Sequence, residues 1–179
     1  MRIQRNRIRL ATLFATSALL GWGAWTWATA EDFTTLKRRI RERFPSVAQL
    51  STADLAAWLN DPKRDKPILL DVRTEEEFAV SHLRGAMRVE PSAKAEKVLA
   101  QLPPGQPVVT YCSVGYRSSD LAERLKKAGV AAVYNLEGSI FQWANEGRPI
   151  EADGHPAEKV HPYNRKFGQM LDEKKRANP

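Results

Sequence analysis

The chain has 179 residues, of which 42% are hydrophobic and 27% are charged, as is ordinary for a globular protein with one core. Its net charge of +7 is uneven: the first 30 residues hold four of the 28 basic residues and no acidic one, so the remainder carries 24 basic and 21 acidic side chains. That mild excess argues against a nucleic-acid partner. A single cysteine excludes an intrachain disulfide.

Residues 1–30 have the pattern of a signal peptide or a transmembrane anchor. Met1 to Arg9 is basic, residues 10–30 are uncharged and mostly apolar, and Ala28-Thr29-Ala30 is a small-residue site of the kind cleaved after export. The apolar run is also about long enough to span a bilayer as a hydrophobic helix. Cleaved signal and retained anchor both stay open. Either predicts an extracytoplasmic location, periplasmic or at the cell surface, for the rest of the chain.

Residues 31–45 are predicted to form a basic juxtamembrane linker helix. Phe33, Leu36, Ile40 and Phe44 recur at helical spacing among lysine and arginine residues, and Pro45 ends the helix. Two interpretations stay open for this segment. The helix lies on an anionic membrane surface, or it is a solvated linker.

Residues 46–150 alternate short apolar runs with helical patterns, which predicts an α/β domain on a parallel sheet. Ile68 to Val72 is nearly all apolar, as in a central parallel strand. Val108 to Tyr111 is a β-branched and aromatic run, long enough for a buried strand. Thr74 and Glu77 form a capping box that begins a helix. Ligands of such sheets bind beyond the carboxyl ends of the strands, and Cys112 lies at such an end.

Residues 151–179 form a polar C-terminal extension. Phe167, Met170 and Leu171 are spaced to make one helical turn that packs on the domain. Beyond that turn the composition predicts disorder.

The only cysteine lies in a tight loop between a predicted strand and a predicted helix, which Ser118 or Ser119 is expected to cap. Backbone N–H groups at such a turn, and the positive end of the helix dipole, favour a thiolate over a thiol. Cys112 is therefore predicted to be nucleophilic, although a buried structural cysteine is the plainer alternative. The predicted anion-binding loop consists of Ser113, Val114, Gly115, Tyr116 and Arg117. Its glycine allows the loop to curl, and its arginine is expected at the rim, where it steers an anion.

Five short blocks, in this order, resemble the single-domain rhodaneses. They are Asp71-Val72-Arg73, Glu76-Glu77-Phe78, His82-Leu83-Arg84-Gly85-Ala86, Tyr111-Cys112-Ser113-Val114-Gly115-Tyr116-Arg117-Ser118, and Leu136-Glu137-Gly138-Ser139 with Trp143. The resemblance implies an α/β fold with a central, mainly parallel five-stranded sheet flanked by helices. It implies Cys112 as the nucleophile of a sulfurtransferase that takes sulfane sulfur from thiosulfate or another persulfide source and passes it to cyanide or a thiol. No cofactor is expected.

Three further residues match positions of the resemblance that we interpret as mainly structural, because they would tie the loop after the second strand to its surroundings: Asp71, Arg73 and His82. Ser81 departs from the pattern, because the family usually has glycine there. A positive φ at that position would strain a serine.

Two other anion or metal chemistries fit less well. Phosphatases also place a cysteine and an arginine around an anion, but five residues separate the two, whereas four separate Cys112 from Arg117. The tighter loop suits a sulfur atom and not a tetrahedral phosphate. No metal site is predicted, because His82, His155 and His161 are scattered and no second cysteine is present.

Two functional hypotheses remain. The first is an enzyme with a Cys112 persulfide intermediate. The second is a membrane-tethered rhodanese module that acts as a sulfur carrier or a redox-sensing binding domain for a membrane-protein partner, with little turnover of small molecules. The intact loop favours the first, and the N-terminal segment favours the second.

Overall fold

The computed structural model describes residues 32–178, so the signal or hydrophobic anchor helix expected in residues 1–30 lies outside the described part. The helices are α1 (Phe33–Arg43), α2 (Thr52–Asn60), α3 (Glu75–Val80), α4 (Ala95–Leu99), α5 (Tyr116–Lys127), α6 (Ser139–Asn145) and α7 (Arg165–Gly168), followed by a 3₁₀ turn (Glu173–Lys175). The strands are β1 (Ala48–Leu50), β2 (Ile68–Asp71), β3 (Met87–Arg88), β4 (Val108–Tyr111), β5 (Val133–Leu136), β6 (Ile150–Ala152) and β7 (His155–Ala157). None of the helices within residues 32–178 is long and apolar enough to cross a bilayer.

The predicted parallel sheet is confirmed. Its five strands lie in the order β1-β5-β4-β2-β3, and every neighbouring pair runs parallel. All residues of β2 and β4 are buried, because helices cover both faces of the sheet centre. Thus β4 places Cys112, the residue after its last member, at the middle of the carboxyl edge.

The predicted helix is confirmed as α1. Its apolar face packs on the domain, so α1 is neither a solvated linker nor a helix that lays this face on a membrane surface. Leu36, Ile40 and Phe44 are buried. The Phe44 ring meets the Tyr116 ring edge-on at 5.2 Å between centroids, which brings α1 against the cysteine loop. Glu137 accepts a hydrogen bond from Arg41 on the polar side of the same helix. The apolar face is therefore occupied by the domain itself.

The C-terminal extension is ordered structure. Helix α7 and the buried Leu171 agree with the helical turn expected there. The disorder expected beyond that turn is wrong, because the 3₁₀ turn Glu173–Lys175 follows it and Arg176 pairs with Val160.

Strands β6 and β7 form an antiparallel hairpin joined by Asp153 and Gly154, both with positive φ, as a two-residue type I′ turn requires. Glu151 exchanges two backbone hydrogen bonds of 2.8 Å with His82. Val160 and Leu171 are buried in the domain core.

Some helix boundaries differ from those predicted. The capping box of α3 is confirmed, with the Glu77 N–H donating to Thr74 Oγ1 at 3.3 Å and the Thr74 N–H to Glu77 Oε2 at 3.1 Å. The sequence pattern after β3 predicts a helix from Pro91 or Ser92, but helix α4 begins at Ala95.

Candidate active site

The loop after β4 is folded around the sulfur of Cys112. The Gly115 N–H donates to Sγ at 3.2 Å. Gly115 has a φ of +113°, a conformation that residues with a Cβ rarely adopt, and a Cβ there would lie 3.4 Å from Asn135 Nδ2. This glycine is therefore what allows the chain to turn an N–H back onto the sulfur.

The expectation that Ser118 or Ser119 caps α5 is wrong. Helix α5 begins at Tyr116, directly after Gly115, and no side chain caps it. Both serines are buried in its first turn. The Ser118 hydroxyl lies 3.5 Å from the Cys112 sulfur and 2.6 Å from Asn135 Oδ1. Ser118 therefore contacts the thiol, although the sequence predicted it as a helix cap.

The N-terminal end of α6 holds the backbone of the loop. The Cys112 N–H donates to Ser139 Oγ at 3.1 Å. The N–H groups of Ile140 and Phe141 donate to the carbonyl oxygens of Cys112 and Ser113, both at 3.2 Å. Ser139 has a φ of +52°. It lies within the resemblance blocks, but its contact with the cysteine was not predicted.

The pKa of the Cys112 thiol is lowered although the residue is buried. Burial opposes ionisation and raises the pKa. The positive charge of Arg117, the Ser118 hydroxyl, and the backbone N–H groups of Ser118 and Gly115 stabilise the thiolate, and together they outweigh burial. A lowered thiol pKa is the property that a sulfur nucleophile needs.

Arg117 does not stand free at the rim, because its guanidinium is paired with Glu77. Nη1 donates to Glu77 Oε2 at 2.7 Å and Nη2 to Oε1 at 2.8 Å, and Nη2 also donates to Ser113 Oγ at 2.9 Å. Burial raises the pKa of Glu77, but the hydrogen bonds and charge of Arg117 and the Ser113 hydroxyl lower it to about 2. The sequence predicted Glu77 as part of a capping box, and the structure shows that Glu77 also pairs with Arg117.

One exposed tyrosine covers the guanidinium of this ion pair, and another directly precedes Arg117 in the chain. Tyr116, in the loop, is 50% exposed, and Tyr163, in the C-terminal extension, is 45% exposed. The Tyr163 ring lies over the Arg117 guanidinium, with 4.8 Å between Cζ and the ring centroid. No sequence pattern linked Tyr163 to the site.

Asp71 and Arg73 form a fully buried pair beside the loop. Arg73 donates from Nε and Nη2 to the Asp71 carboxylate at 2.8 and 2.7 Å, and Nη2 also donates to the Ser81 carbonyl oxygen at 2.5 Å. Ser81 has an extended backbone, with a φ of −175°, so the strain considered for this serine is absent. The pair ties the end of β2 to the end of α3.

His82 lies further from the sulfur and takes part in backbone contacts. Its Nδ1 lies 3.1 Å from the Phe78 carbonyl oxygen, and its ring stacks on the Phe78 ring at 3.9 Å. Among residues 32–178, no group of three or more metal-ligating side chains is close enough to hold an ion.

The thiol is closed off from solvent. Cys112 is 1% exposed, and Ser113 and Val114 are also buried. A surface cavity of about 400 Å³ opens at the start of β4, near Val108, but its lining includes no titratable side chain. That cavity lies at the opposite end of β4 from the cysteine loop.

Comparison with known proteins agrees with this geometry. A sulfurtransferase of Allochromatium vinosum is 34% identical over 106 residues, 59% of this chain and 96% of that protein. The probable adenylyltransferase/sulfurtransferase MoeZ of Mycobacterium tuberculosis is 33% identical over 101 residues, and the matched part spans 56% of this chain but only 25% of MoeZ. In fold, the thiosulfate sulfurtransferase of Pseudomonas aeruginosa is similar with a TM-score of 0.58 at 17% identity, over 77% of this chain and 26% of that one.

The family model for the rhodanese-like domain matches residues 51–146, more than half of the chain. The match contains the cysteine loop, the Glu77–Arg117 pair and the whole of β2 to β5. The chain belongs to the rhodanese-like domain family, whose relatives here include sulfurtransferases.

Proposed function

We propose that this chain moves a sulfane sulfur from thiosulfate or a persulfide donor to cyanide or a thiol acceptor, through a persulfide on Cys112. The observation that carries the proposal is the 3.2 Å hydrogen bond from the Gly115 N–H to the Cys112 sulfur, in a loop that lowers the thiol pKa. The same N–H groups that stabilise a thiolate are suited to stabilise the anionic outer sulfur of a persulfide.

The transfer proceeds in two displacements. In the first, the Cys112 thiolate attacks the outer sulfur of the donor, a new S–S bond forms, and the donor leaves as sulfite or as a thiolate. In the second, cyanide or an acceptor thiolate attacks the outer sulfur of the Cys112 persulfide, and the Cys112 thiolate is released. The sulfane sulfur moves with no net gain or loss of electrons by the protein.

A second candidate is the sulfur carrier or redox-sensing module. Its support is the 1% exposure of Cys112, which restricts rapid exchange with small molecules and favours delivery to or from a docked protein. Under this alternative, the partner opens the loop.

Sulfur loading and turnover of wild type and Cys112→Ser distinguish the two candidates. Treatment with thiosulfate or a persulfide, followed by intact mass spectrometry, is expected to show one added sulfur on wild type and none on the variant. Turnover with cyanide that disappears in Cys112→Ser supports the enzyme. A stable persulfide without turnover supports the carrier, and no added sulfur on wild type from either donor overturns both.

We also propose that the domain lies outside the cytoplasm, as a secreted or membrane-anchored protein. Support comes from the basic residues before the apolar run at 10–30 and the acidic residues after it. A membrane-protein partner is compatible with such a tether. Carbonate extraction of cell membranes followed by N-terminal sequencing tests this: an extracted species that starts at Glu31 indicates a cleaved signal, retention of the full chain indicates an anchor, and a full-length chain in the cytoplasmic fraction overturns the proposal.

A further inference from the structure

The C-terminal extension brings one aromatic ring to the catalytic loop. Tyr163 lies over the guanidinium of Arg117 at 4.8 Å, within the range of a cation–π interaction. The two terminal nitrogens of the same guanidinium donate to Glu77. Arg117 is therefore held along one edge by a carboxylate and across one face by a ring.

The backbone that carries this ring is unfavourable by itself. Tyr163 has a φ of +63°, and the Asn164 N–H donates to the Pro162 carbonyl oxygen at 2.7 Å, as in a γ-turn. The Tyr163 N–H donates to His161 Nδ1 at 3.0 Å. A left-handed conformation at a bulky residue persists only where its surroundings determine it. The contacts of Tyr163 on the loop belong to those surroundings.

The charges of the site disfavour a dianionic donor. Because the pKa of Glu77 is about 2, its carboxylate is ionised at neutral pH and balances the charge of Arg117. Together, the Glu77 carboxylate, the Arg117 guanidinium and the Cys112 thiolate then carry one net negative charge. Thiosulfate carries two negative charges and an oxyanion head, and it is repelled by such a group unless an arginine nitrogen turns towards it. A persulfide on an organic thiol has no oxyanion head.

We propose that Tyr163 is a specificity-determining residue for the sulfur transfer proposed above, on which this inference rests. Its ring keeps Arg117 on Glu77, so that no guanidinium nitrogen turns to an oxyanion. The site around Cys112 then prefers donors whose outer sulfur is bound to an organic thiol, and it disfavours thiosulfate. Tyr116 and Tyr163 expose aromatic rings, which are suited to pack against the organic part of such a donor.

The preferred loading step is a thiol–persulfide exchange. The Cys112 thiolate attacks the outer sulfur of R–S–S–H, the bond between the two donor sulfurs breaks, and R–S⁻ leaves with its electron pair. The proton of the donor stays on the Cys112 persulfide or passes to the departing thiolate. No oxidant or reductant is consumed.

Single-turnover loading of the full chain tests the role of Tyr163. The persulfide of 2-mercaptoethanol, which has no carboxylate, and thiosulfate are supplied separately at equal concentration, and the rate of one-sulfur addition to Cys112 is followed by intact mass. Wild type is expected to load faster from the persulfide. Tyr163→Leu, which keeps an apolar side chain on the same backbone but removes the ring, is expected to raise the ratio of thiosulfate to persulfide loading about tenfold.

Two variants complete the comparison. Tyr163→Phe keeps the ring and is expected to load like wild type. Glu77→Gln leaves the charge of Arg117 unbalanced and is expected to shift the ratio in the same direction as Tyr163→Leu. An unchanged ratio in Tyr163→Leu, or faster loading of wild type from thiosulfate, overturns the inference while sulfur transfer itself stands. Failure of both donors to load wild type overturns the proposed function as well.

Discussion

Glu77 and Arg117, 40 residues apart in the chain, form a two-armed ion pair at 2.7 and 2.8 Å beside the buried thiol of Cys112. The carboxylate comes from α3 and the guanidinium from the first turn of α5, so the pair joins the ends of β2 and β4. The Glu77 carboxylate holds the Arg117 guanidinium in place, and the positive charge of Arg117 lowers the pKa of Cys112. The lowered pKa of the thiol therefore depends on Glu77, which lies outside the cysteine loop and acts on the thiol through Arg117.

Replacing Glu77 with glutamine is expected to destabilise the fold by about 2–4 kcal/mol at neutral pH, because it leaves a partly buried guanidinium without its counter-charge. The folded-state pKa of Glu77 is about 2, below its ordinary value of 4.5. The stabilisation is therefore present above pH 4.5 and is lost as pH falls from 4.5 towards 2.

Denaturant unfolding of wild type and Glu77→Gln at a series of pH values measures this. The difference between them is expected to narrow through that window. Glu75→Gln, an exposed change in the same helix, is the control and is expected to have little effect at any pH. A difference that stays constant down to pH 2 contradicts the assignment.

Substituting Ser118 by alanine is expected to raise the pKa of Cys112, because the hydroxyl that stabilises the thiolate is lost. The hydroxyl has a single proton, which the sulfur shares with Asn135 Oδ1, so the substitution also leaves that oxygen without its donor, at a cost of about 1–3 kcal/mol. Ser119→Ala is the matched control, since the Ser119 hydroxyl is buried without a partner and its loss is expected to be neutral or slightly stabilising. Equal effects of the two variants on the thiol would contradict the role of Ser118.

Gly115→Ala is expected to cost about 1–3 kcal/mol, because alanine is strained at a φ of +113°. It is also expected to turn the N–H away from the sulfur and so to raise the thiol pKa. Gly129→Ala provides the comparison: Gly129 follows the end of α5 with a φ of +99° and open space around it, so only stability is expected to fall. Thermal melts and thiol titration of both variants separate backbone strain from thiolate stabilisation.

Ile40→Ala is expected to destabilise the domain by about 2–5 kcal/mol, because Ile40 is 3% exposed and its δ1 carbon lies against Gly115. A chain that begins at residue 46 is expected to be still less stable. Arg38→Ala, on the exposed side of the same helix, is expected to change stability little. An unchanged melting temperature of Ile40→Ala would contradict the packing of α1 on the domain and favour its interpretation as a linker.

Periodicity and local chemistry in the sequence predicted the parallel sheet and the strand that ends at Cys112. Runs such as Ile68 to Val72 are nearly all apolar because both faces of a central strand are covered, and that constraint is visible in a single stretch of sequence. The capping box of Thr74 and Glu77 is equally local. The Asp153-Gly154 turn is a hairpin signal of the same local kind, but the turn was not predicted from the sequence.

The contacts that complete the site are long-range, and a single sequence does not encode them locally. Nothing in the spacing of Glu77 and Arg117 indicates that they pair, and nothing connects Tyr163 to a loop 46 residues earlier. The side on which α1 buries Ile40 depends on the surface that the rest of the domain offers. Ser118 was expected to cap helix α5, but its side chain is buried and its hydroxyl lies next to the Cys112 sulfur.

Titration of the thiol tests the central claim most directly, and the single cysteine of the chain makes the signal unambiguous. The ultraviolet absorbance of the thiolate is followed against pH in wild type, with Cys112→Ser as the blank, so that the tyrosines cancel. A midpoint below the pKa of 9.0 that is ordinary for a cysteine thiol is expected. A midpoint at or above that value would contradict the account, because the loop would then provide no thiolate for sulfur transfer.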